Sequence, residues 1–186
     1  MSTDVNRLAI ITWLAENASG LGRTFGRTAL MKYCYFLQVV RGVPLGYRFS
    51  LYSYGPFDSD VLSDLDIAEA LGGVKSSEVY YPGGYGYKIE VGEGAERIKH
   101  LGAAFIKEHE PQLRWIVDHF HGWDASSLEL ASTLVYSDRE AERSGEVLTI
   151  RALSKRVRDL KPRFSIAQIE GQARRLQGDD LLQSIR

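Results

Sequence analysis

The side chains that most often carry chemistry are scattered along this 186-residue chain rather than grouped. Cys34 is the single cysteine and lies in a predicted helix with no nucleophile signature around it. His119 and His121 are two residues apart, so on a helix they diverge, and no HExxH motif or cysteine pair accompanies them. No serine lies in a Gly-x-Ser-x-Gly motif. The sequence therefore predicts no catalytic site, no metal site and no cofactor.

Three glycines near the N-terminus resemble a phosphate-binding loop only superficially. Gly20, Gly22 and Gly26 have the spacing GxGxxxG and follow a predicted helix rather than a strand. No Gly-Lys-Ser/Thr sequence accompanies them. We expect an ordinary loop between two helices.

Aromatic and acidic residues lie close together in the middle of the chain. Tyr52, Tyr54 and Phe57 precede a predicted helix that carries Asp60 and Asp64. Carboxylates repel phosphate groups, whereas aromatic side chains are enriched at protein interfaces. These five residues are the predicted protein-binding surface, and a basic protein is the expected partner. The alternative is a helix face that is simply solvated.

Basic residues accumulate near the C-terminus. Between Arg151 and Arg175 there are eight basic and two acidic residues, a net charge of +6. A second helix-turn-helix would use these cations to bind DNA, with binding that weakens as salt rises. The alternative is that these helices close the fold and their basic faces are solvated. The candidate DNA-binding residues are Arg151, Lys155, Arg156, Arg158 and Arg163.

The stretch from Tyr47 to Val91 organises the predicted fold. We expect a strand over Tyr47–Tyr54, a Gly55-Pro56 turn into a helix over 58–71, and a hairpin. The predicted hairpin strands are Val79–Tyr81 and Tyr87–Val91, on either side of the proline- and glycine-rich loop 82–86. The helix carries apolar residues at spacings of three and four, and Asp58 or Ser59 is suited to cap it. With the helices predicted over Asp4–Asn17 and Arg27–Val40, this order is typical of a winged-helix-like unit.

The second half is predicted to be helical. We expect a helix over 95–110, a break at Pro111, further helices around 113–120 and 128–135, and a charged loop over 138–145. Two more helices follow, over 148–160 and from Ser165. The predicted fold class is α+β, mostly α, with a winged-helix-like unit over residues 1–92 and a C-terminal helical layer over 93–186. One continuous domain is the alternative.

Composition limits the broad class. An apolar share of 44% is enough for a core, and the net charge of −1 gives no overall attraction to nucleic acid. The sequence shows no signal peptide and no apolar run long enough to cross a bilayer. We therefore expect a cytoplasmic protein that does not bind membranes, either a monomer or a homodimer.

Several short motifs resemble the YwgA-like and SocA-like proteins of the Panacea antitoxin-domain group. They are the helix Leu30–Gln38 with its Lys-x-x-Tyr pattern, the Val43-Pro44-Leu45-Gly46 turn, Tyr47-Arg48-Phe49 and Tyr54-Gly55-Pro56-Phe57. The resemblance covers about residues 5–92. Antitoxin members often carry Val after Gly-Pro, so Phe57 is closer to the YwgA-like branch.

The resemblance implies a protein without catalytic activity. Antitoxin members neutralise a toxin by direct contact, and the SocA-like branch works beside a protease adaptor system. A protein partner, such as a cognate toxin, is therefore expected, and nucleic acid is the less favoured partner.

Overall fold

The computed structural model describes residues 3–18, 24–82 and 84–185. Within these ranges the chain is mostly helical and has two small antiparallel sheets, one of β1 and β2 and one of β3 and β4. The predicted α+β class with mostly α structure is confirmed at this level. Gly20 and Gly22 lie outside the described residues. The elements are α1 (Thr3–Ala18), α2 (Arg27–Val39), β1 (Ser50–Tyr52), β2 (Gly55–Phe57), α3 (Ser59–Ala70), β3 (Val74–Tyr81), β4 (Gly84–Val91), α4 (Ala95–Leu101), α5 (Ala103–His119), α6 (Ala125–Arg143), α7 (Ile150–Leu160) and α8 (Ile166–Gly178).

The chain divides into two compact units. The first unit contains residues 1–50 and 57–125, and the second contains 51–56 and 126–186. The second unit thus takes six residues from the middle of the chain. This division differs from the sequence-based boundary after residue 92, because α4 and α5 belong with the hairpin and the first three helices.

The first unit has an aromatic and aliphatic core. Its helices α1 and α2 contribute fully buried side chains, among them Leu14 and Phe36. The ring of Phe36 stacks on Phe120 from the end of α5, with centroids 4.4 Å apart. Tyr35 meets Phe49 edge to face at 5.2 Å. Burying such rings stabilises the fold by about 1.5–3 kcal/mol each.

The predicted strand over Tyr47–Tyr54 is wrong in its first half. The Gln38 amide donates to the Tyr47 carbonyl at 2.8 Å and accepts from the Tyr47 N–H at 2.9 Å. The N–H of Arg48 donates to the Asp58 carboxylate. Because side chains occupy these backbone groups, no ladder forms before Ser50.

Gly55-Pro56 lies inside β2 and does not form the turn into α3. The reversal comes earlier, at Ser53 and Tyr54, and Gly55 follows it with φ +88°. Proline donates no hydrogen bond, which suits the edge of a two-stranded sheet. The helix begins at Ser59, and the predicted cap Asp58 accepts from the Asp60 N–H at 2.9 Å.

The predicted hairpin is present, with longer strands than the sequence indicated. β3 and β4 pair antiparallel from Val74↔Val91 to Tyr81↔Gly84. Val74 and Ile89 are buried at its base. The side of the sheet that carries Ile89 therefore faces the core of the first unit.

The predicted break at Pro111 is wrong, because Pro111 lies inside α5. The helical run is interrupted earlier in the chain, at Gly102 between α4 and α5. A Cβ on Gly102 would lie 2.4 Å from the Cβ of Ala9 in α1. Gly102 is therefore required by close packing against α1.

The predicted loop over 138–145 is helical as far as Arg143. Asp138 is fully buried and accepts hydrogen bonds from the backbone N–H groups of Gln183 and Ser184 at 2.8 and 2.9 Å. Arg139 donates to the Leu181 carbonyl at 3.2 Å. The last residues of the chain therefore hold this end of α6 in place.

The last two helices of the second unit agree with the sequence. Thr149 caps α7 through a 3.1 Å hydrogen bond from the Ala152 N–H. Ser165 and Gln168 form a capping box at the start of α8. Both caps satisfy N–H groups that the first helical turn leaves without partners.

Candidate protein-binding surface

The turn between β1 and β2 presents two tyrosines to solvent. Tyr52 is 67% exposed and Tyr54 is 68% exposed. Both belong to the second unit. Large aromatic side chains at this exposure are candidates for contact with a partner, because covering them removes much apolar area from water.

A buried lysine holds this turn. The Nζ of Lys161, just after α7, donates to the backbone carbonyls of Tyr52, at 3.4 Å, and of Ser53. Lys161 is only 5% exposed. Its ammonium lies 3.1 Å from the carboxylate of Glu129 in α6.

Glu129 pairs with two cations. It is 3% exposed and pairs with Arg163 as well as Lys161. The guanidinium of Arg163 also lies over the ring of Phe164, 4.7 Å from its centroid. Removing Glu129 would leave the buried charge of Lys161 without its counterion.

Gly55 packs closely beside the same turn because it has no side chain. Its φ of +88° is a conformation that side-chain-bearing residues rarely adopt. A Cβ there would lie 3.1 Å from the hydroxyl oxygens of both Ser132 and Thr133 in α6. The turn therefore lies directly on α6.

These contacts give the turn a fixed conformation. Burying a lysine and a glutamate costs desolvation free energy that their attraction repays only when the geometry is good. Here that geometry fixes the carbonyls of an otherwise exposed turn. The loss of conformational freedom on binding is then smaller, because the tyrosines are already positioned.

The predicted acidic half of the surface lies in the first unit and is only partly exposed. Asp60 is exposed and Phe57 is half-buried. Asp64 is 4% exposed, so its place on the predicted binding surface is wrong. The apolar residues Val61, Leu65 and Ala68 define the buried face of α3, and Asp64 lies on that face.

Asp64 belongs to a buried polar cluster. Its carboxylate lies 2.8 Å from the Nε of Arg7 and accepts a 2.8 Å hydrogen bond from the Tyr47 hydroxyl. Burial raises the pKa of Asp64 above its usual range, although the Tyr47 hydrogen bond and the Arg7 charge act to lower it.

Cys34 is not available as a nucleophile. Its side chain is buried, and burial raises the pKa of the Cys34 thiol, as does the nearby charge of Asp64. A thiol of raised pKa provides little thiolate near neutral pH.

Three of the five predicted DNA-binding residues already bind other groups of the protein. Arg156 pairs with Glu146 at 2.8 Å, Arg158 donates to the Phe164 carbonyl, and Arg163 pairs with Glu129. Arg151 and Lys155 are exposed and form no ion pair with a described residue. Among the described residues, these are the two predicted cations that neither pair with a carboxylate nor donate to a carbonyl. They lie one helical turn apart on α7.

Sequence reasoning missed the residues that hold the turn. Lys161 counts only among the basic residues between Arg151 and Arg175, and the spacing after Ser126 predicts Glu129 as a capping-box residue, because the partners observed here are distant in the sequence. Because Lys161 lies 109 residues after Tyr52, no local pattern marks it as the residue that holds the turn. No group of three or more His, Cys, Asp or Glu side chains placed to hold a metal occurs within residues 3–18, 24–82 and 84–185.

Comparisons with protein-family models, curated proteins and solved structures found no significant match to this chain. None of the described helices is both long and apolar enough to traverse a lipid bilayer.

Proposed function

We propose that this chain is a non-enzymatic, antitoxin-like module that neutralises or escorts a partner protein by direct contact. The observation that carries the proposal is the pair of exposed tyrosines, Tyr52 and Tyr54, on a turn whose carbonyls are held by buried Lys161. A buried ion pair that fixes an exposed aromatic turn favours recognition of a partner protein over a role in stability alone.

The family proposal rests on the short motifs of the first half. The order α1, α2, β1–β2, α3, β3–β4 supports a winged-helix-like unit of the YwgA-like or SocA-like kind. Gly55-Pro56 keeps its place before the third helix but lies in a strand. In this proposal the first unit serves as a scaffold. The turn that carries Tyr52 and Tyr54, the tyrosine turn, contacts the partner protein.

The third helix favours a protein over DNA as the partner. Between Ser59 and Ala70 it carries Asp60, Asp64, Asp66 and Glu69 and no lysine or arginine. In a winged helix this helix would face the phosphates, and its exposed carboxylates, Asp60 and Asp66, would be repelled.

The decisive experiment begins with the tagged chain in its native host. Co-purified proteins are identified by mass spectrometry, and each is expressed alone and together with this chain. A cognate toxin should stop growth alone, and co-expression should restore it. The double variant Tyr52→Ala/Tyr54→Ala should weaken binding of the purified pair by about 10- to 100-fold, since aromatic anchors dominate interfaces.

Tyr85→Ala is the matched control, because Tyr85 is similarly exposed, at 61%, but lies in the first unit. Its effect on affinity should be small. Equal loss in both variants, or unchanged affinity in the double variant, would reject the turn as the binding surface.

A DNA-binding regulator is the second candidate, and Arg151 and Lys155 favour it. Their Ala variants together should lower the slope of log affinity against log salt by about 2, since each phosphate contact contributes about 0.9. A gel-shift series with genomic fragments measures this. Arg174→Ala serves as the control, because Arg174 pairs with Glu170 at 3.2 Å. No retention at low salt would eliminate this candidate.

A further inference from the structure

The free end of the β3–β4 hairpin carries uncovered tyrosines. Tyr80 is 78% exposed, and Tyr81 and Tyr85 are more than half exposed. Tyr80 pairs across the strands with Tyr85, and their ring centroids are 6.4 Å apart. Both lie on the same side of the sheet as buried Ile89. This face of the hairpin therefore packs on the core near Ile89 and is exposed to solvent at the free end.

The two edges of this hairpin differ. On the β4 edge, the Ile89 N–H donates to the Phe25 carbonyl at 2.7 Å, so the segment before α2 lies along that edge. On the β3 edge, the Ser76 N–H donates to the Glu69 carboxylate at 2.9 Å. Backbone direction alternates along a strand, so the N–H groups of Glu78 and Tyr80 point outward from this edge as well.

The outer edge of β3 is open beyond Ser76. No described backbone group bonds to the outward N–H of Glu78 or Tyr80. Such edges pair readily with another strand, and proteins usually protect them with lysine, proline or a covering segment. Here the protection is at the ends, where Glu69 caps Ser76 and Pro82 follows the strand.

We propose that a second copy of this chain pairs antiparallel with β3, so that Glu78 lies opposite Tyr80 of the other copy and Val79 lies opposite Val79. The two hairpins then form one four-stranded sheet about a twofold axis. Both outward N–H groups acquire carbonyl partners. Pro82, which has no N–H, falls opposite Ser76, whose N–H is already bonded to Glu69, so the pairing ends there.

The side chains in this register are self-complementary. Within one copy the Tyr80 hydroxyl donates to the Glu78 carboxylate at 2.7 Å. The twofold axis places the same donor and acceptor opposite each other across the interface. A shift of the register that opposed Glu78 to Glu78 would bring two carboxylates together. The pairing is short, so the dimer should form in a concentration-dependent way.

Cysteine cross-linking tests the register. In the proposed pairing Val79 and its copy form a non-hydrogen-bonded pair, with Cα atoms about 4.5 Å apart, a distance that a disulfide spans. Val79→Cys should give a covalent dimer under diamide, seen on a non-reducing gel. The native Cys34 is buried and does not interfere.

Ser77→Cys is the matched control, on the same strand and the same face. In this register its copy lies four residues along the facing strand, about 13 Å away, too far for a disulfide. Preferential cross-linking at 79 supports the proposal. Equal cross-linking at both sites, preferential cross-linking at 77, or none at either site would overturn it.

Analytical ultracentrifugation of variants without new cysteines provides the second arm. Glu78→Pro removes an outward N–H on the β3 edge, and Tyr85→Pro removes one on the β4 edge, so the hairpin keeps its internal hydrogen bonds in both. Circular dichroism confirms that each folds. The wild type and Tyr85→Pro should show a rise in average mass with concentration, and Glu78→Pro should remain monomeric. A monomeric wild type, or dimerisation of Glu78→Pro, would refute the proposal.

Discussion

Asp64 and Arg7 are 57 residues apart in the sequence, and their contact was not predictable from either residue alone. The helical spacing of Val61, Leu65 and Ala68 identified the buried face of α3. Asp64 falls within that face by position, but an aspartate is mostly exposed unless it has a partner. Only the folded chain supplies Arg7 and Tyr47, so the sequence placed Asp64 at the surface.

The raised pKa of Asp64 predicts a specific pH dependence of stability. The folded state holds the Asp64 proton more tightly than the unfolded state, so stability is lost as pH rises through the folded pKa. Relative to Asp64→Asn, the wild type should therefore lose free energy of unfolding as the pH rises above about 4, the ordinary pKa of an aspartate. The loss is about 1.4 kcal/mol for each unit by which the pKa is raised.

Urea unfolding of both proteins across this range measures the effect. Asp66→Asn, an exposed carboxylate on the same helix, controls for the loss of one charge. If the difference between wild type and Asp64→Asn does not change with pH, or changes in the opposite direction, burial does not dominate the titration of Asp64.

At the level of elements, the sequence predicted the features that interactions between neighbouring residues determine. Apolar residues at spacings of three and four marked α3, and the caps Asp58 and Ser165 were found because capping uses neighbouring backbone N–H groups. The β3–β4 hairpin followed from its loop rich in proline and glycine. In each case the deciding contacts lie within a few residues.

The predictions failed where contacts between residues distant in the sequence determine the element boundaries. Pro111 indicated a helix end, but close packing of Gly102 on Ala9 places the break earlier. The charged end of α6 was predicted as a loop because Asp138 meets its partners in the last residues of the chain. Likewise, Lys161 reaches back more than a hundred residues to hold the tyrosine turn.

Gly55 offers a test of how tightly the tyrosine turn is fitted. Gly55→Ala should lose about 1–2 kcal/mol for a positive φ and more for the contacts with the Ser132 and Thr133 hydroxyls. Gly42→Ala is the matched control, because Gly42 has φ +68° and a Cβ there would have no described atom within 4 Å. Thermal and urea unfolding give both losses.

Gly55→Ala is expected to be the more destabilising of the two. Equal losses would mean that the two hydroxyls move aside and that the turn has room to adjust. That result would remove the argument that the tyrosines are held in advance of binding.

At the scale of the whole molecule, charge is distributed unevenly along the chain. α3 carries only carboxylates among its charged residues, whereas the segment from Arg151 to Arg175 has a net charge of +6. The sequence revealed this asymmetry, but not that several of the cations are engaged by Glu129, Glu146 and Glu170. The field offered to a partner is therefore weaker than the residue count suggests.

The second unit is completed by residues 51–56, which lie far ahead of its other residues in the chain. During synthesis the tyrosine turn emerges long before Glu129 and Lys161 are made. It therefore stays unanchored until the final third of the chain has left the ribosome. A gene fragment that begins at Ser126 would encode the anchor without the turn, so recombination with a single crossover between the two units cannot transfer the turn together with its anchor to another protein.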